Sequence, residues 1–169
     1  MDTIAKILSF LMFPLFMPLY GVILLFNLEI FSFYPAFYMK GTFLTVVLLG
    51  ILVPIFSLYI LWRFGVISDF RVYKREDRVI PYIFTAIAYF FVSYMLYRLA
   101  MPLYVVNIAI GVAFATLVDA IVSLKWKISA HATGIGGLTS AVVSICYLTH
   151  ANATMLIAIL FLATGLLCA

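Results

Sequence analysis

Apolar runs too long for a soluble core constrain this chain more than any other feature. Several stretches exceed the roughly 18 hydrophobic residues that cross a bilayer, beginning with Ile7 to Phe26. Hydrocarbon supplies no partner for backbone N–H and C=O groups, so a spanning chain must be helical or a closed barrel. Continuous runs of about twenty residues select helices. Composition agrees: 67% of residues are hydrophobic, and 9% are charged, against roughly 25% in soluble domains. The reading is an all-α polytopic membrane helix bundle. Residues 1–169 form a single membrane domain of about six helices, near 7–26, 41–62, 79–97, 104–124, 129–148 and 153–169.

The first run is too long for a signal-peptide core, and no small-x-small cleavage site follows it, so it reads as a retained helix. Pro14 and Pro18 are expected to bend that helix, and Pro54 the second, whereas Pro81 suits a first turn. Cys146 and Cys168 sit in apolar runs without metal-ligand spacing and read as structural free thiols.

Charge is confined to the connections. The stretch from Arg63 to Ile80 holds five bases and three acids, and a Lys125-Trp126-Lys127 turn follows the fourth helix. With six spans, eight of the ten Lys/Arg residues fall on one face, leaving Lys40 and Arg98 on the other. The positive-inside rule makes the richer face cytoplasmic. Setting aside the five bases with a chemical reading leaves three against two, too few to fix orientation.

Two stretches on the richer face stand out. Arg71, Lys74, Arg75 and Arg78 place four cations in eight residues at the mouth of a helix. Lys125, Lys127, Ser129 and His131 open the fifth helix, followed by Gly134, Gly136 and Gly137. A helix start offers free N–H groups to an anion, and arginine forks match phosphate oxygens. Glycines allow close approach, and a histidine can hand a proton to a leaving oxygen. Together these read as a site for phosphate at the membrane surface. Simpler roles are open for each: a solvated basic loop, an N-cap at Ser129, helix packing at the glycines, a hydrogen-bonded packing role for His131. Trp126 reads as an interface anchor. Asp119 lies about 9 Å deeper than Lys125 along the fourth helix; an intramembrane carboxylate is a functional candidate or a partner for a base.

These motifs resemble the type 2 phosphatidic acid phosphatase (PAP2) superfamily, in particular its compact six-helix bacterial branch. That family carries a K-x6-RP motif before a helix, an S-G-H motif opening a later helix, and an SR-x5-H motif at the next. Here Arg71 and Arg78 have the x6 spacing, with "RVIP" in place of "RP", and Lys74 and Arg75 compete for the same role. The second motif stands as Ser129-Ala130-His131 within "KISAHATGIGG". The resemblance implies that Arg78, Arg75, Arg71, Lys74 and Lys127 hold the phosphoryl group, with Ser129 donating to it. His131 would protonate the departing alcohol, and no metal or other cofactor would take part. The substrate would be a lipid phosphomonoester or pyrophosphate, such as phosphatidate, an isoprenyl pyrophosphate or a lipid A phosphate, in a bacterial inner membrane. Membrane lipids would be the partners, with homo-oligomers allowed and nucleic acid excluded.

The third motif, which would bring the nucleophilic histidine, is absent from the sequence. The resemblance places it beyond Ala169 and predicts that the 169-residue chain binds phosphate with little or no turnover, because a nucleophile and its acid act as a unit. Two other readings compete. One is a small transporter or channel using Asp119, and the other a non-catalytic protein that holds anionic lipid on its basic face.

Overall fold

The structure is a computed structural model and describes residues 13–27, 34–69, 72, 74–150 and 158. All regular structure among them is helical. Helix α1 comprises a 3₁₀ turn, Pro14–Phe16, leading into Met17–Phe26. Helix α2 is Ala36–Arg63, α3 is Val79–Arg98 after a 3₁₀ turn at Glu76–Arg78, α4 is Leu103–Ser123 and α5 is Ala130–Thr149. Among the described residues, four helices (α2 to α5) are long and apolar enough to cross a membrane, the make-up of an integral membrane protein. The expected sixth helix, 153–169, lies outside the described residues apart from residue 158.

The prolines act differently from one another. Pro14 and Pro18 were expected to bend the first helix, but they stand at the openings of its two segments. There a missing N–H forfeits no bond. Pro54 does perturb α2. It removes the N–H that would reach the Gly50 carbonyl, and the preceding Val46–Leu52 widens into a π-helix. Pro81 is the third residue of α3, as the sequence predicts.

The chain divides into two compact units. In the unit of residues 36–128, α3 and α4 make the most extensive helix contact. Ala86, Ala113 and Ala120 are almost fully buried, and such small side chains let membrane helices approach closely. Helix α2 runs antiparallel to α3: Gly41, near its start, faces Leu99 just past the end of α3, where an added Cβ would stand 3.2 Å from a Leu99 methyl. Gly50 in the π-turn packs on Tyr89 and Val92. This topology gathers the end of α2, the start of α3 and the end of α4 at one pole of the unit, and leaves Lys40 and Arg98 at the other.

The described part of the second unit is α1 with α5. Met17, Ile135, Leu138 and Val142 form its core, flanked by Tyr20, Leu24 and Cys146. The glycines of α5 divide by role. A Cβ on Gly134 would lie 3.1 Å from Met17 Cγ and 3.5 Å from Pro14 Cα, so Gly134 is the close-approach point for α1. Among the described residues, Cβ atoms on Gly136 and Gly137 would meet nothing within 4 Å.

Candidate functional site

The pole where α3 begins and α4 ends carries the densest charge in the 36–128 unit. Lys74, Lys125 and Lys127 are exposed there, Arg75 and Arg78 are half-buried, and Trp126 is exposed. Arg71 lies outside the described residues.

The geometry starts from the end of α4. The last carbonyls of a helix have no intrahelical partner and carry the negative end of its dipole. Beyond Ser123 the chain makes a tight turn, with the Lys125 N–H on Val122 O at 3.0 Å and the Trp126 N–H on the same oxygen at 2.9 Å. The carbonyls that follow are taken by the neighbouring arginines. Arg75 Nη1 donates to Lys125 O at 2.7 Å, and Arg78 Nη1 donates to Ile128 O at 2.7 Å. Arg78 Nε also donates to Val72 O at 3.0 Å. One guanidinium thus ties the connection before α3 to the turn after α4. The two stretches singled out in the sequence meet here, at least through residues 75–78 and 125–128.

The connection is held at two further points. Asp77 Oδ2 accepts from the Ser68 N–H at 3.0 Å and from the Ser68 hydroxyl. Val72 has φ 51°, a left-handed conformation that a β-branched residue adopts at a cost of roughly 1–3 kcal/mol. The bonds from Val72 N to Asp69 O, at 2.9 Å, and from Arg78 to Val72 O hold it there.

Tyr82 completes the pole, one helical turn after Arg78. Its hydroxyl is within hydrogen-bonding reach of Arg78, and Asp119 acts on it electrostatically from α4. The sequence reading missed Tyr82; its only signal was the four-residue spacing from Arg78.

Arginine has five N–H donors. Arg78 commits two of them to backbone carbonyls and Arg75 one, and Arg78 also meets Tyr82. Each guanidinium keeps donors for an anion while being fixed in orientation. Lysines 74, 125 and 127 surround this pair as mobile point charges.

Ser129 and His131 belong to the other unit. Ser129 is the N-cap of α5: its Oγ accepts from the Ala132 N–H at 3.4 Å, and its carbonyl accepts from the Thr133 N–H at 3.1 Å. The hydroxyl proton remains available to a further acceptor. His131, the second helical residue, is half-buried and meets the Phe13 ring edge-on, with centroids 6.4 Å apart.

Among the described residues no cluster of His, Cys, Asp and Glu has the arrangement of a metal site. Comparison with protein-family models, with curated proteins and with solved structures finds no match to this chain.

Proposed function

We propose that this protein handles lipid phosphate at the surface of a membrane, in the manner of a type 2 phosphatidic acid phosphatase of a bacterial inner membrane. The observation that carries the reading is the placement of Arg75 and Arg78 on the 125–128 turn, which fixes two guanidiniums among three exposed lysines at one membrane pole. Fixed forks bind a tetrahedral phosphate with less ordering cost than mobile ones. Exposed Trp126 beside them suits the interfacial zone where lipid headgroups lie. A lipid substrate would enter sideways from the bilayer.

The catalytic half of the reading comes from the motif resemblance: Ser129 as a donor to phosphate and His131 as the acid for the leaving oxygen. In a complete site of this kind a histidine attacks phosphorus in line, and the arginines stabilise the transferring group. The sequence holds no SR-x5-H motif, so the 169-residue chain is expected to bind phosphate and to release very little. A non-catalytic anionic-lipid binder is the second reading, favoured by the share of each guanidinium already spent on backbone carbonyls.

The test uses purified protein in detergent with a short-chain phosphatidate. Calorimetric titration should show binding that Arg78→Ala weakens at least about tenfold, the equivalent of one charge-assisted contact. Phosphate release that depends on His131 favours the enzyme; binding indifferent to His131→Ala favours the second reading. Binding that survives Arg78→Ala unchanged would sink both.

A further inference from the structure

Two charges at the basic pole of the 36–128 unit stand at the unfavourable ends of their own helices. Arg78 is the N-cap of α3, where the positive end of the helix dipole opposes a cation. Asp119 lies one turn before Ser123, the last residue of α4, where the negative end opposes an acid. Across the pair the signs match. Helix α4 packs against α3 and against the Glu76–Arg78 turn, which sets each charge beside the opposite dipole end of its neighbour.

Tyr82 connects them. It follows Arg78 by four residues, the spacing that makes side chains neighbours on a helix. Tyr82 is half-buried, with its hydroxyl in hydrogen-bonding reach of Arg78 and in the field of Asp119. A hydroxyl in the fields of an acid and a base turns its proton toward the first and its oxygen toward the second. Asp119 thereby keeps the Tyr82 oxygen as an acceptor for Arg78. Arg78 already has Nε on Val72 O at 3.0 Å and Nη1 on Ile128 O at 2.7 Å, so the Tyr82 oxygen is a third hold on a planar group. We infer that Asp119, acting through Tyr82, is a positioning residue that fixes the direction of the Arg78 guanidinium. The use of that guanidinium to hold an anion rests on the lipid-phosphate reading; the positioning itself does not.

The experiment follows the Arg78 Nε–H by NMR of the arginine-labelled full-length chain in detergent, its signal assigned by loss in Arg78→Lys. Tyr82→Phe removes the acceptor and should speed exchange of that proton about tenfold, the equivalent of one charge-assisted bond. Asp119→Asn should speed it about three- to tenfold, and Asp119→Glu should restore most of the protection. Adding Asp119→Asn to Tyr82→Phe should change nothing further, because the path is already broken. Titration with short-chain phosphatidate should show a similar loss of affinity in Asp119→Asn, and no loss in an Arg78→Ala background. If the Nε–H responds as stated while wild type binds no phosphatidate, the positioning role stands and the lipid-phosphate reading alone falls. An Nε–H unmoved by Asp119→Asn would overturn the proposal. So would an Asp119→Asn effect that persists in Tyr82→Phe, which would route it through another partner. An equal rise at amides in the middle of α4 would overturn it too, as the mark of a general loss of packing.

Discussion

Replacing Arg78 by alanine removes the tie between the connection before α3 and the turn after α4. Two hydrogen bonds from a charged donor are lost, to Val72 O and to Ile128 O. Such bonds contribute about 1.5–3 kcal/mol each; both are half-exposed here, so the low end applies and the sum is about 3 kcal/mol. Release of Val72 from its left-handed conformation returns roughly 1 kcal/mol. The net local cost is about 2 kcal/mol, or about a 30-fold rise in the opening constant of this segment. Hydrogen exchange reads it directly at the Val72 amide, bonded to Asp69 O, and at the Arg78 position, bonded to Arg75 O. Arg78→Lys keeps the charge but one ammonium does not span both carbonyls, so its rise should be nearer fivefold. Amides in the middle of α3 and α4 should not change. A rise below threefold in Arg78→Ala, or an equal rise throughout α3 and α4, would refute the reasoning.

Two other sets of substitutions follow from packing. Gly134→Leu should destabilise by roughly 2–3 kcal/mol through its collision with Met17 and Pro14, while Gly136→Ala and Gly137→Ala should be neutral or stabilise by about 0.5–1 kcal/mol through helix propensity; thermal melts in detergent rank them, and equal losses at all three would contradict the assignment. Among the described residues the buried hydroxyls of Thr42 and Ser123 have no hydrogen-bond partner, so Ser123→Ala and Thr42→Val should each stabilise by about 1 kcal/mol, a rise of roughly 2–4 °C in melting temperature. A fall at either position would mean that its hydroxyl is satisfied.

The sequence was most legible where the bilayer sets the rule. Helices α3, α4 and α5 lie within about one residue of their expected limits, because each is an apolar run between charged or polar connections. The start of α2 was misplaced. It was expected near residue 41, yet the helix begins at Ala36, just after Pro35; Lys40 stays exposed and Gly41 takes Leu99 against its bare Cα. The π-turn was not foreseen either, although Pro54 is its cause; a proline announces a lost bond but not how the helix absorbs it. At the candidate site the meeting of the two basic stretches was legible from topology and charge. What those arginines donate to was not, because backbone carbonyls past a helix end leave no mark in side-chain identity. The part of Tyr82 escaped for a related reason: its partners come from a position one turn back and from a different helix.

The central claim is that Arg75 and Arg78 hold a lipid phosphate, and quenching of Trp126 tests it most directly. In a Trp62→Phe background Trp126 is the only tryptophan of the chain, and it stands exposed on the turn that both arginines grip. With brominated lipids in vesicles, phosphatidate should quench it at a mole fraction about tenfold lower than phosphatidylcholine, and the Arg75→Ala/Arg78→Ala variant should lose that preference. Equal quenching by the two lipids, or a preference that survives loss of both arginines, would contradict the account.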